Sequence, residues 1–235
     1  MLYALSVAGE KILPRKKLSG KCPDCGEVLI PKCGEIVLWH WAHQSGTDCE
    51  HWGEPEGEWH LEWKTRWPKE CVEVPVIKNG KRHRADIRTP DGMVIELQHS
   101  SISTEEIHER ESFYGNMAWV FDEIEKHELG NMEFNNRYST ILGTYYHLHW
   151  KHPRRSLEYV TRPVYLDLPN GSLPHSGNMF KLKKIKEMDF DVFYRDFQGY
   201  DYTKEYDKLP FGWGYSYSRK MFSIWFGANL AKEPS

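Results

Sequence analysis

Along this chain the spacing of apolar positions changes several times, and each change marks an element. In residues 54–67, EPEGEWHLEWKTRW, Trp59, Trp63 and Trp67 recur every four residues, the stripe of one helix face, and Pro68 ends it. Three strand patterns follow: 71–77 (CVEVPVI) up to Asn79-Gly80, 82–88 (RHRADIR) up to Thr89-Pro90-Asp91-Gly92, and 93–99 (MVIELQH). Ser103-x-x-Glu106 then opens a helix as a capping box, and 118–122 (AWVFD) suits a buried parallel strand. The predicted order is therefore helix, three strands, helix, strand. Residues 2–7 before it read as a strand, and 21–50 as a turn-rich segment dense in Cys and His. After it, 162–168 reads as a strand and 178–197 as a strand running into a helix.

The fold class predicted is mixed α/β (α+β). The expected organisation is an N-terminal metal-binding module over 1–53, an α/β core over 54–125, and a C-terminal extension over 126–235.

Bulk composition constrains this picture only lightly. The 235 residues are 40% hydrophobic and 28% charged, ordinary for a folded chain, and the formal charge of −3 supplies no overall basic field toward nucleic acid. A local basic groove stays compatible with it. No apolar run approaches the length of a membrane span. At the N-terminus the charges follow a short apolar run, the reverse of a signal peptide, so a cytoplasmic location is expected.

The cysteines change the picture more. Of Cys22, Cys25, Cys33, Cys49 and Cys71, four fall between residues 22 and 49, which in a reducing compartment favours metal over disulfides. CPDC (22–25) is a CxxC knuckle, and HWAH (40–43) and Cys49 follow it. Thiolate and imidazole donors at this spacing suit one tetrahedral structural Zn²⁺. Four of Cys22, Cys25, His40, His43 and Cys49 are the expected ligands, and Cys49 can take the place of His40. Cys33 is the least favoured.

The second chemical feature is an acidic hairpin. A three-residue loop at Pro90-Asp91-Gly92 pairs residues whose numbers sum to 182, setting Asp86 opposite Glu96 and Arg84 opposite Gln98. Opposed carboxylates repel, and a divalent cation between them removes the cost. Such an ion also generates a nucleophilic water and stabilises a phosphoryl oxygen, and Gln98 is placed to orient either. Solvated acids on an edge hairpin are the plainer alternative.

An Asp on one strand followed by acid-x-Gln on the next, between two helices, resembles the PD-(D/E)xK nuclease superfamily. The ordered set CPDC, HWAH, EWHLEWK, RHRADI, IELQHSSIS, Arg110 with Tyr114, and AWVFD is similar to CoiA-like competence proteins over residues 20–170, as are WKHPRR and RPVYLDL further on. The resemblance implies a restriction-endonuclease-like core behind a zinc-ribbon-like module, and DNA as partner, with a recombinase as a further one. It also implies that Asp86 and Glu96 hold Mg²⁺ or Mn²⁺, that Gln98 stands in the usual Lys place, and that Glu58, His60 and Lys64 join the site. Gln98 is neutral, so Lys64, one turn after His60, is placed to supply the missing charge; a solvated helix face is the alternative for both.

Arg84, Ser100, Arg110 and Tyr114 are candidate substrate contacts, close to His99 and Ser101. Arg110 either binds a DNA backbone or pairs with Glu106 at i−4. The runs KKLSGK and KHPRR are candidate phosphate contacts. The Trp stripe packs the helix on the sheet, with base stacking as its other possible use. The function expected is a metal-dependent DNA nuclease in DNA processing, recombination or competence-like uptake. The rival is a non-catalytic DNA-binding accessory protein on a degenerate nuclease fold.

Overall fold

A computed structural model describes residues 1–36, 38–44, 49, 52, 57–140, 143–169, 179–184, 190–194 and 216–217. These residues form a mixed α/β structure with extensive sheet and few helices. Two units are distinguished, with Met1–Ile95 in the first and Glu96–Ala228 as the second. The division falls inside a strand.

The first unit begins with a small antiparallel sheet: β1 (Ala4–Leu5), β2 (Lys11–Ile12), β3 (Gly20–Lys21), β4 (Val28–Lys32) and β5 (His40–His43), in the order β2-β1-β3-β4-β5. Ala4, Cys22, Leu29 and Trp41 form its core, with Met1 and Ile12 packed against them. Gly20 is required there, because a Cβ on it would lie 2.5 Å from the Ala4 Cβ.

Helix α1 (Glu58–Thr65) follows, then β6 (Val72–Lys78), β7 (Lys81–Arg88) and the start of β8 (Val94–Gln98). The Trp stripe is core, with Trp59, Trp63 and Trp67 all buried. The helix is buried on a second side as well, through His60 and Lys64. Strands β6 and β7 turn tightly at Asn79 and Gly80, both at positive φ, and pair Lys78 with Lys81. Between β7 and β8, Gly92 sits at φ 88° and the Thr89 N–H donates to the Met93 carbonyl. Ile87 then pairs with Ile95 and Arg88 with Val94, the register expected from the loop.

In the second unit the end of β8 leads into α2 (Thr104–Tyr114), β9 (Met117–Asp122), α3 (Ile124–Glu128), β10 (Met132–Thr140) and β11 (Gly143–Trp150). Beyond these lie β12 (Val164–Asp167), β13 (Met179–Lys184), β14 (Phe190–Tyr194) and β15 (Ser216–Tyr217). The order is β10-β11-β14-β13-β12-β9-β8, with β15 on β13. Ser103 caps α2 by accepting from the Glu106 N–H at 3.1 Å, as the capping box predicts. Residues 117–121 of β9 are all buried, and β9 pairs in parallel with β12. The helix expected in the second half of 178–197 is instead strand where it is described, at 190–194. Four of its five residues, Phe190, Val192, Phe193 and Tyr194, are aromatic or β-branched, a composition that favours strand. Residues 185–189, 195–197 and the tail from Ala231 lie outside the described residues. Among the described residues, no helix is long and apolar enough to cross a membrane.

Candidate functional site

The Cys/His cluster is built by the small sheet. Cys22 and Cys25 lie on the knuckle after β3, where Cys22 N–H donates to the Glu27 carbonyl and Gly26 N–H to the Cys22 carbonyl. His43 ends β5, and Cys49 comes from the segment beyond. The donor atoms of Cys22, Cys25, His43 and Cys49 all lie within 4.8 Å of one another. Cys22 Sγ is 3.6 Å from Cys49 Sγ, and Cys25 Sγ is 3.3 Å from His43 Nε2. A tetrahedron with Zn–S bonds of ~2.3 Å has edges of about 3.8 Å, so the set is near the size a zinc ion requires. Burial pushes the Cys22 and Cys49 thiols up, and for Cys49 the neighbouring thiols add to the effect. A divalent cation supplies what this cluster lacks, because it stabilises the thiolate forms. Three soft thiolates and one imidazole fit zinc, and the cluster can bind it.

His40 does not join these four. HWAH is a strand, and residues three apart in a strand face opposite sides. His43 therefore turns to the buried side with Trp41, while His40 Nδ1 lies 2.8 Å from the Leu38 carbonyl. Cys49 fills the fourth place. Cys33 and Cys71 lie outside the cluster.

Two residues of β7, Arg82 and Arg84, hold the knuckle segment, and His83 lies between them in sequence. Arg82 donates to the Pro23 carbonyl and its Nε lies 3.5 Å from Asp24 Oδ1. Arg84 forms an ion pair with Asp24. Between them, the His83 ring stacks on Trp52 with centroids 3.4 Å apart. Arg84, expected among substrate contacts, is thus engaged by the CPDC turn and is only 10% exposed.

Two residues further along β7, Asp86 meets α1. Lys64 Nζ lies 3.2 Å from Asp86 Oδ1 and 3.2 Å from Glu73 Oε1. Lys64 and Glu73 are buried, whereas the Asp86 side chain is 23% exposed. Glu73 also accepts from the Leu2 N–H at 2.7 Å and the Tyr3 N–H at 2.9 Å. Its backbone is at φ 50°, a conformation that costs a non-glycine residue on the order of 1–3 kcal/mol. Burial pushes the Glu73 carboxyl up, but Lys64 above all, then the N-terminal ammonium, Arg84 and the Leu2 N–H, bring it down to about 2. Of the other α1 candidates, His60 is buried with its ring edge-on to Trp59, and Glu58 is exposed in the first turn.

In the second unit, Glu96 and Gln98 are both buried on β8. Arg110 of α2 donates to Glu96 Oε2 at 2.7 Å, pairs with Glu106, and lies over the Trp119 ring. The expected i,i+4 pair with Glu106 is present, but on a buried Arg110, 3% exposed, rather than at the surface. Arg110 serves as the counter-ion of a buried carboxylate. Gln98 Nε2 donates to the Ser100 carbonyl at 3.2 Å. Ser100 is exposed, and Tyr114 packs edge-on against Phe113. His99 Nδ1 lies 2.8 Å from Asp122 Oδ2. Arg154, from the KHPRR run, is 9% exposed; it pairs with Glu123 and donates to the His99, Ser100 and Asp122 carbonyls, a structural use. Lys16, Lys17 and Lys21 of the other basic run are exposed.

Residues 10–51 match the family model of the competence protein CoiA, N-terminal domain. The match covers 42 of the 235 residues and is a likeness of this segment to that domain. The matched segment contains all four residues of the Cys/His cluster. Comparisons with curated proteins and with solved structures give no match.

Sequence reasoning missed Glu73. The signal was present, since CVEVPVI carries an acid inside an apolar strand just as VIELQ carries Glu96 and Gln98. The pairing of Arg84 with Asp24 had no such signal, because it joins residues sixty positions apart.

Proposed function

We propose that this chain is a metal-dependent DNA nuclease that hydrolyses phosphodiester bonds during DNA processing linked to competence or recombination. The observation that carries the reading is Asp86, a partly exposed carboxylate on β7 with a buried lysine 3.2 Å away. The order helix, three strands, helix, strand supports a restriction-endonuclease-like core. On the sequence pairing of Asp86 with Glu96, the two carboxylates together hold Mg²⁺ or Mn²⁺. When bound, that ion supplies charge neutralisation and an acidified water. Lys64 orients the Asp86 carboxylate, Gln98 orients water or a phosphoryl oxygen, and Ser100 contacts the DNA. The CoiA match supports the competence context, and zinc at Cys22, Cys25, His43 and Cys49 keeps the N-terminal module folded.

One observation favours a second reading, a non-catalytic DNA-binding recombination accessory. Glu96 is already neutralised by buried Arg110. The test is incubation with single- and double-stranded DNA and Mn²⁺, beside the Asp86→Ala/Glu96→Ala double variant. Cleavage falling at least ~100-fold in the variant is expected. Intact DNA with binding retained selects the accessory reading, and undiminished cleavage by the variant removes Asp86 and Glu96 from the site.

A further inference from the structure

Asp86 is held by a lysine that is itself held by a second acid. Lys64 sits 3.2 Å from both carboxylates, so the three groups together carry a formal charge of −1. A lone ammonium beside Asp86 would cancel its charge and repel a second cation. A buried lysine with only one partner would also be costly to desolvate. Glu73 resolves both difficulties. Its carboxylate is held by the N–H groups of Leu2 and Tyr3, just before β1, as well as by Lys64 of α1. Its backbone adopts φ 50° at this position, and the surrounding hydrogen bonds offset that strain.

We propose that Glu73 sets the charge at the nuclease site: by neutralising Lys64 in a buried pair, it leaves Asp86 oriented and net negative for a divalent cation. Lys64 is then a positioning residue for Asp86, and Glu73 a positioning residue for Lys64. The inference rests on the nuclease reading. In that hydrolysis a water oxygen forms the new P–O bond, the P–O bond to one sugar breaks, and a proton from the water ends on the leaving oxygen. Glu73 and Lys64 exchange no proton with these atoms. Their effect falls on cation affinity, through the sign of the charge beside Asp86.

Charge and structure can be separated. Glu73→Gln keeps the side-chain volume and one acceptor oxygen, enough for either the Leu2 or the Tyr3 N–H but not both, and changes the three-group charge from −1 to 0. Glu73→Gln/Lys64→Met restores −1 with a neutral pair, and buried ion pairs often tolerate such replacement. The experiment is Mn²⁺ titration of the zinc-loaded full chain by calorimetry, with the Mn²⁺ dependence of DNA cleavage measured alongside. Expected is a loss of roughly 10–100-fold in Mn²⁺ affinity for Glu73→Gln, the range found when groups behind a metal ligand are removed. The rate at saturating Mn²⁺ should stay within about threefold. The double variant restores the charge but lacks the Lys64 contact that orients Asp86, so it should bind more tightly than Glu73→Gln and to within about tenfold of wild type. A purely structural Glu73 would make the double variant worse than the single.

Unchanged affinity in Glu73→Gln, with wild-type cleavage dependent on Asp86, overturns the inference and leaves the nuclease reading standing. Absence of Mn²⁺ binding and of cleavage in the wild-type chain overturns both. If Glu73→Gln does not fold, the double variant carries the test, and a folded double variant with more than tenfold weaker Mn²⁺ binding overturns the inference.

Discussion

The Cys/His cluster and the Glu73–Lys64–Asp86 network are two answers to one problem, that of collecting anionic groups in a restricted space. Cys22, Cys25, His43 and Cys49 bring thiols together with no internal cation, and burial pushes Cys22 and Cys49 up. Glu73 and Asp86 share an internal cation, and the Glu73 carboxyl is held down to about 2. The first arrangement is complete only with a metal. The second is neutralised in part by the chain itself and keeps one carboxylate partly exposed. On the function proposed above, a structural ion and an exchangeable one would call for this difference: the former is bound with folding, the latter must find its ligands already in place.

Removing zinc gives the largest contrast. Binding at a structural site of this type contributes ~10 kcal/mol or more, so strong chelation, or Cys22→Ser, should unfold the small sheet. About one zinc per chain is expected by metal analysis of protein purified without chelator. The His83–Trp52 stack reports the event, because indole emission changes when Trp52 leaves β7. A chain that contains no zinc and keeps its fold under chelation would break the comparison at its first term.

Next in size is Lys64→Met alone. It leaves Glu73 buried and without its main counter-charge, a change that costs about 3–5 kcal/mol. Urea denaturation of the zinc-loaded chain measures it. A loss below about 1 kcal/mol would mean that the pair is far better hydrated than its burial indicates.

The same pair predicts a pH dependence with a definite sign. The Glu73 carboxyl is depressed from 4.5 to about 2, so its contribution is fully present above pH ~4.5 and disappears as pH falls through 2. The shift corresponds to on the order of 3 kcal/mol. Thiolates also lose zinc in acid, so the useful quantity is the stability difference between wild type and Glu73→Gln. That difference should shrink steadily from pH 4.5 toward 2, and a constant difference would contradict the assignment.

How much of this was legible in the sequence depends on the range of the interaction. The hairpin register and the Ser103 cap follow from local chemistry, and both are present. The CxxC knuckle was equally plain. The choice between His40 and Cys49 was not, because it depends on HWAH being extended, and four residues carry too little pattern to fix that. For Lys64 the sequence offers a charge in the site or a solvated helix face, and for Arg110 a DNA contact or a pair with Glu106; neither pattern shows that each is buried on an acid from a strand. Their partners lie nine and fourteen positions away, on other elements, beyond any helical or strand period.

The smallest effect tests whether zinc is all that holds the small sheet. That sheet also has an apolar core of Ala4, Cys22, Leu29 and Trp41. Gly20→Ala pushes a methyl to within 2.5 Å of the Ala4 Cβ and 3.3 Å of the Leu5 carbonyl oxygen, and neither is the far end of a flexible chain. Overpacking of this kind costs about 1–3 kcal/mol. If the core contributes independently, Gly20→Ala should lower the melting temperature by several degrees while metal analysis still finds one zinc per chain. If the metal alone sets the structure, the strain should appear instead as weaker zinc binding in a competition titration with a chelator, with no separate thermal effect at saturating zinc. The first outcome is expected, because Gly20 is part of the packed sheet and Cys22 is the one cluster residue that also belongs to that core.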